Sequence, residues 1–214
     1  MCWPHSKMPC VAPTQHQLRD VLWSEIAKWI RHSERSHAAA NTNFKVGDWL
    51  TWQSDKVFFT EYGGQQWFAI ARTANPRSSA DEQAETLAGF HEEHMCVLVD
   101  EASGVPDPVF RPLEATLTGG INFAVLIFNP TKSKGFAVDT QREQSAHWMT
   151  LRWNAEDSPL TSPDSTAYLA STYGIDSNAY RIRVLGLPPL EDEDILIPWD
   201  LANEAVGREI EPLD

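Results

Sequence analysis

The chain has 214 residues, of which 42% are hydrophobic and 22% are charged, as is typical of a soluble globular protein. Its 17 basic and 30 acidic residues give a formal net charge of −13, and it has no basic stripe to bind duplex DNA on its own. It contains no run of 18 apolar residues, so we expect no membrane span.

The N-terminus and the cysteines indicate a cytoplasmic protein. The first ten residues, MCWPHSKMPC, lack the charged and apolar regions of a secretory signal. Cys2, Cys10 and Cys96 are odd in number and have no CxxC spacing, which predicts free thiols, with Cys96 inside a core strand.

The first third of the chain predicts a strand, a helix and a hairpin. Residues 7–12 are apolar and predict a buried strand. The helix is expected over about 15–31, with apolar residues at three- and four-residue spacing: Leu18, Val21, Leu22, Ile26, Trp29 and Ile30. We expect a polar loop over 32–43. Strands are expected at 55–61 and 67–74, where Gly63 and Gly64 turn the chain between them.

The middle of the chain alternates helices with apolar strands. A short helix is expected to end near Gly89, before the apolar strand 95–100. A second helix, within 107–120, precedes the apolar strand 121–128. The order strand, helix, strand, helix, strand predicts an α/β fold with a parallel sheet.

The C-terminal part predicts a small, mostly helical appendage. Residues 135–144 favour a helix and 147–153 a further strand, and two short helices follow, around 163–173 and 177–185. Residues 191–214 hold nine acids and one base, with a last helix expected from about 199 to 209. We therefore divide the chain into a core, 1–155, and a helical linker with an acidic tail, 156–214.

Asp100 and Glu101 end an apolar run, MCVLV, at the carboxyl end of a predicted parallel strand. Ligands of open parallel sheets bind beyond this end. One acid can hold Mg²⁺ through water and the other can deprotonate an attacking water, the two roles that phosphoryl transfer needs at one site. The alternative is a strand that simply ends in a polar loop.

Asn129 and Thr131 follow the next apolar strand, beside the acids if the sheet is parallel. An amide at this position can sense the γ-phosphate or the attacking water. An Asn that merely opens an Asn-Pro turn is the alternative interpretation.

Two other features of the sequence bear on metal and phosphate binding. In HEEH, residues 91–94, the histidines are three apart rather than four as in zinc proteases, so we interpret these residues as exposed helix-capping groups. The eleven glycines include no G-x-x-x-x-G-K-[ST] phosphate loop (Walker A motif). A site without that loop lacks its N–H nest, its lysine and its magnesium-binding hydroxyl.

Five segments resemble, in order, the large terminase subunit of tailed phages and prophages, the ATP-driven motor that packages viral DNA. They are APTQHQLRDVLWSEIAKW (12–29), LAGFHEEHMCVLVDEASGVPD (87–107), LEATLTGG (113–120), FNPT (128–131) and YRIRVLGLPP (180–189). The resemblance covers nearly the whole chain, and VDEASGVPD is its most specific block.

The resemblance implies an incomplete P-loop NTPase (ASCE) sheet that uses ATP and Mg²⁺. It implies that Asp100, in the Walker B position, holds Mg²⁺ through water and that Glu101 is the catalytic glutamate. Asn129 and Thr131 fall in the motif that couples hydrolysis to DNA movement, although Phe128 stands where the family usually has glycine.

The resemblance also places Thr14 and Gln17 near the nucleotide, in the segment directly after the first ATPase helix. The partners it implies are the small terminase subunit, the portal and double-stranded DNA, in the host cytoplasm and without a membrane.

The chain departs from the family pattern at both ends, because the sequence shows neither the phosphate loop nor the nuclease domain. We therefore expect it to be weak or inactive as an ATPase alone. In this class of ATPase the missing strand lies inside the sheet, so strand 124–128 should present an open edge that favours self-association.

Two other functions would account for parts of this pattern. The chain could be a non-catalytic interaction protein that pairs with or modulates an intact terminase. A helicase fragment would also explain Asp100 and Glu101, but nothing matches the later helicase motifs with their arginines.

Overall fold

The structure is a computed structural model that describes residues 3–40 and 45–190. Two compact units divide the chain, Met1–Phe128 and Asn129–Asp214. Cys2 and the helix predicted around 199–209 lie outside the described residues.

The first unit is built on one six-stranded sheet with the order β2-β3-β4-β1-β5-β6. Its strands are β1 Lys7–Ala12, β2 Leu50–Trp52, β3 Lys56–Phe59, β4 Phe68–Thr73, β5 His94–Asp100 and β6 Ile121–Ile127. The sheet with its flanking helices confirms the predicted α/β class.

The sheet is mixed rather than wholly parallel. Strands β4, β1, β5 and β6 run parallel, whereas β2 and β3 form an antiparallel ladder that continues onto β4. The short connection through Gly63 and Gly64 accounts for this, since neighbouring strands joined by a tight turn can only be antiparallel. The three-residue strand β2 adds a further antiparallel strand to the hairpin. No strand was predicted in this segment.

The first helix is longer than predicted and begins irregularly. A π-helical segment, Gln17–Trp23, leads directly into α1, Ser24–Ala40, so the loop predicted for 32–43 is helical up to Ala40. The buried face of this helix also differs from the predicted one, because Val21 and Trp29 are exposed. The wider π turn shifts the positions that face the sheet away from a regular 3.6-residue repeat.

This helix packs on one face of the sheet. Leu18 and Trp23 are buried against alternate residues of β1, β3 and β4, which are Cys10, Ala12, Val57 and Ala69. The indole Nε1 of Trp23 donates to the carbonyl oxygen of Gln53 at 2.9 Å. The hydrogen bond joins the helix to the hairpin, and it satisfies a polar group that would otherwise be buried unpaired.

Short helices connect the remaining strands. They are α2 Val46–Trp49, α3 Ala80–Ala84 and α4 Leu113–Thr116. Helix α3 begins with a capping box formed by Ser79 and Glu82. The single helix predicted within 107–120 is wrong: a 3₁₀ turn, Asp107–Phe110, and α4 are separated by Pro112, which cannot donate a helical hydrogen bond.

The second unit contains three helices within its described residues, α5 Phe136–Asp139, α6 Pro163–Tyr173 and α7 Asn178–Arg183. The last two confirm the predicted pair. The strand predicted at 147–153 is wrong: residues 145–147 form a 3₁₀ turn, and 149–154 have no ladder partner among the described residues. Met149 and Trp153 are 87% and 81% exposed, so the alternating pattern has no sheet face to cover.

We predict that Leu18→Ala lowers the free energy of unfolding by about 2–5 kcal/mol, because it leaves a cavity between the helix and the sheet. Val21→Ala, three residues along the same segment but on its exposed side, should change that free energy by less than about 0.5 kcal/mol. Urea unfolding followed by tryptophan fluorescence compares the two. Equal losses would contradict this packing.

Candidate functional site

Asp100 and Glu101 stand at the carboxyl end of β5, as predicted. Asp100 is the last residue of the strand and pairs in register with Ile127 of β6. Both acids are half-buried. The backbone N–H of Glu101 donates to Oδ1 of Asp100 at 3.1 Å, so a local hydrogen bond orients the Asp100 carboxylate.

Glu101 has a left-handed backbone conformation, with φ 51° and ψ 45°. Among the described residues that are not glycine, His5 alone shares a positive φ. This conformation costs a side-chain-bearing residue about 1–2 kcal/mol. Such strain is typical of functional sites, where surrounding structure holds one residue in place.

The turn after Glu101 is tightly held. The backbone N–H of Gly104 donates to the carbonyl oxygen of Glu101 at 2.8 Å, closing the 3₁₀ turn Ala102–Gly104. Ala102 and Ser103 are buried. The strained residue therefore sits between the rigid end of β5 and a buried turn.

The loop that follows β1 packs directly on this turn. A Cβ atom added to Gly104 would lie 2.8 Å from Cγ of Pro13, closer than real side chains approach. Since Val11 pairs with Val99 in the parallel ladder, the ends of β1 and β5 are level, and the two loops meet at one edge of the sheet.

Thr14 and Gln17 lie in this neighbouring loop and at the start of its helix. Oγ1 of Thr14 donates to Oε1 of Gln17 at 2.9 Å and accepts from the Gln17 backbone N–H at 3.2 Å. Thr14 is exposed and Gln17 half-buried. The fold thus brings their loop to the edge that holds Asp100 and Glu101, and their contact with a nucleotide stays a prediction.

The end of β4 reaches the same edge, although no site residue is predicted there. Thr73, its last residue, pairs with Ala12 of β1. Two residues later, the Oδ1 atom of Asn75 accepts from the backbone N–H of Arg77 at 3.0 Å, and Arg77 is exposed. The signal that the sequence offered is a cation four residues after Thr73, within the turn-forming segment NPRSS, residues 75–79.

Asn129 and Thr131 belong to the second unit. Both are exposed, and the backbone N–H of Thr131 donates to the carbonyl oxygen of Asn129 at 2.8 Å across the buried Pro130. Along the chain, Asn129 follows Ile127, the register partner of Asp100, by two residues. Whether either residue reaches the acids stays a prediction.

The donor set at this edge suits a hard cation held partly by water. Within residues 3–40 and 45–190, no group of three or more His, Cys, Asp or Glu side chains is arranged to enclose a metal. Mg²⁺ commonly binds through one or two carboxylates and keeps several waters, so Asp100 and Glu101 fit it in kind.

Two other groups noted in the sequence have structural partners. In HEEH, Glu92 forms an ion pair with Lys7 at 3.0 Å, which lowers the Glu92 pKa. Burial, aided by the neighbouring Cys96 thiol, raises the pKa of Cys10 to about 12, and burial also raises the pKa of Cys96. Neutral thiols are poor nucleophiles and poor metal ligands.

Comparison with known proteins agrees with the motif order. The chain is 27% identical over 222 aligned residues to the "Probable terminase, large subunit" of Enterobacteria phage P7, an alignment that covers 98% of this chain. The chain spans 42% of the length of that relative. No family model matches.

A solved structure shows the same fold. The crystal structure of the large terminase from a thermophilic bacteriophage superposes with a TM-score of 0.58 at 10% identity, over 87% of this chain and 41% of that one. The predicted resemblance to large terminase subunits is confirmed.

We predict that Glu101→Gly raises the free energy of unfolding by roughly 0.5–1 kcal/mol, because relief of the left-handed strain exceeds the entropy that glycine adds to the unfolded chain. Glu101→Gln keeps the strain and should change the free energy of unfolding by less than about 0.5 kcal/mol. Chemical denaturation measures both. A destabilised glycine variant would show that the conformation is not strained.

Proposed function

We propose that this terminase large subunit-like chain supplies the metal-binding and water-activating half of a nucleotide-hydrolysing site. The observation that carries the proposal is the pair of acids at the end of β5, an interior parallel strand: Asp100 is its last residue, and Glu101 follows with a strained backbone. In this role Asp100 would hold Mg²⁺ through water, and Glu101 would orient and deprotonate the attacking water.

The two acids are suited to different roles. The Asp100 carboxylate accepts the N–H of the next residue, which restricts its rotation and favours a fixed position for a metal-bound water. Glu101 has a longer side chain and its backbone is set by the turn, as a positioned general base requires. Bound Mg²⁺ would neutralise charge on the phosphates, while these side chains position the nucleophile.

The phosphates themselves lack a dedicated cradle in this sequence, which has no G-x-x-x-x-G-K-[ST] motif. Arg77 is an exposed cation in the turn that follows β4, and we propose that it supplies a weak phosphate contact. Thr14 and Gln17 add hydroxyl and amide groups nearby. We therefore propose that the 214-residue chain binds Mg-ATP weakly and hydrolyses it slowly or not at all by itself.

Coupling and assembly form the wider part of the proposal. Asn129 and Thr131 would link the nucleotide state to DNA movement, while the small terminase subunit, the portal and double-stranded DNA would be the partners, in the host cytoplasm. The likeness to a phage terminase supports these assignments. None of the helices in residues 3–40 and 45–190 has both the length and the apolar composition of a membrane span.

The first test measures metal binding directly. Titration of isotope-labelled chain with Mn²⁺-ATP, a paramagnetic substitute for Mg²⁺-ATP, should broaden the amide signals of residues 99–102. Asp100→Asn should abolish that broadening, whereas Asp81→Asn, which removes an exposed acid of α3, should leave it unchanged. Broadening that survives Asp100→Asn would place the metal elsewhere.

The second test measures the catalytic step. Any ATP turnover of the purified chain should fall by about 10²–10⁴-fold in Glu101→Gln, which cannot accept the proton, while Mn²⁺ broadening persists. Phosphate release measured beside Glu85→Gln, another acid of the chain, provides the matched control. Turnover that is unchanged in Glu101→Gln would remove Glu101 from the catalytic role.

A further inference from the structure

β6 lies at the edge of the sheet but is as long as the interior strand β5. β6 has seven residues and is the last strand in the sheet order, and no strand within residues 3–40 and 45–190 pairs with its outer side. The opposite terminal strand, β2, has three residues. Sheet edges are usually kept short or protected by lysine, proline or a bulge. The sequence of β6, INFAVLI, contains neither lysine nor proline.

The charge pattern favours a second copy as the partner of this edge. Residues 115–131, which surround β6, contain no Asp, Glu, Lys, Arg or His, although 22% of the chain is charged. Two copies carry the same net charge of −13, so contacts between the charged parts of their surfaces are unfavourable. An uncharged strand is the place where they can meet without placing like charges opposite one another.

The hydrogen-bonding direction of the strand is set by its pairing with β5. The backbone N–H of Ile121 donates to the carbonyl oxygen of Glu93 at 2.9 Å, so Ile121 bonds inward. Because the direction alternates along a strand, Asn122, Ala124 and Leu126 present their N–H and C=O groups outward. These outward residues are centred on Ala124.

We propose that β6 pairs antiparallel with β6 of a second copy of this chain, about a two-fold axis at Ala124. Asn122 of each copy then lies opposite Leu126 of the other copy, and roughly six backbone hydrogen bonds form. The interface is isologous and closes at a dimer. This inference does not depend on the proposed nucleotide chemistry.

The side chains of β6 are complementary under the same two-fold axis. The four apolar residues on its exposed face are Ile121, Phe123, Val125 and Ile127, which are 37–49% exposed. In the proposed register Phe123 lies opposite Val125 of the second copy, in a pair without hydrogen bonds, where side chains approach most closely. The eight apolar side chains would form one continuous stripe across the junction.

A charge-swap experiment tests both the surface and the register. Sedimentation equilibrium of the wild-type chain should show a monomer of 24.1 kDa and its dimer. Phe123→Lys combined with Val125→Lys places ammonium groups opposite each other and should weaken the dimer. Phe123→Lys combined with Val125→Glu removes the same apolar side chains but places Lys opposite Glu, and should dimerise at least roughly tenfold more tightly than the double-lysine variant.

Circular dichroism melts confirm that both variants fold, and hydrogen exchange locates the pairing. The amides of Asn122, Ala124 and Leu126 should exchange more slowly as the wild-type concentration rises. Protection that does not depend on concentration would mean that another segment of the same chain covers the edge. The proposal would be overturned by that result, by a wild-type chain that stays monomeric at its solubility limit, or by equal dimerisation of both variants.

Discussion

The parallel pairing of β1 with β5 is the constraint on which the candidate site depends. It brings Val11 level with Val99, so the two strands end together and their loops must share one edge of the sheet. The contact between those loops is so close that Gly104 has no room for a side chain beside Pro13. The positions of Asp100 and Glu101 relative to the loop that begins the first helix follow from this ladder.

The same ladder explains how the chain can hold a strained residue. Val97 and Val99 are fully buried. The turn beyond Glu101 is closed by a hydrogen bond, and it is also buried. Packing on both sides of Glu101 therefore resists relaxation of its left-handed backbone. Local strain is tolerated because the surrounding contacts are worth more than the 1–2 kcal/mol or so that it costs.

The two ends of the sheet have different characters, and this bears on assembly. At one end, an antiparallel hairpin finishes in a strand of three residues, and Trp23 ties that hairpin to the first helix. At the other end, β6 is long and uncharged, and its outer edge pairs with no other strand among the described residues. The chain spans 42% of the length of its phage relative. The activity and partners of the longer protein are therefore proposals for this chain.

Periodicity and motif order alone predict the α/β class, the strands β1, β3 to β6, and the two acids at the end of β5, because buried strands are apolar runs and ligand groups follow them.

Sequence pattern cannot predict features that depend on packing or on long-range pairing. The π turn, the antiparallel addition of β2 and the broken helix at Pro112 are of this kind. The failed strand at 147–153 shows the same limit, since its alternating side chains form a strand only where a sheet provides a partner. The left-handed conformation of Glu101 and the arrival of the end of β4 at the same edge were likewise decided by the tertiary structure, which brings segments distant in sequence together and holds them there.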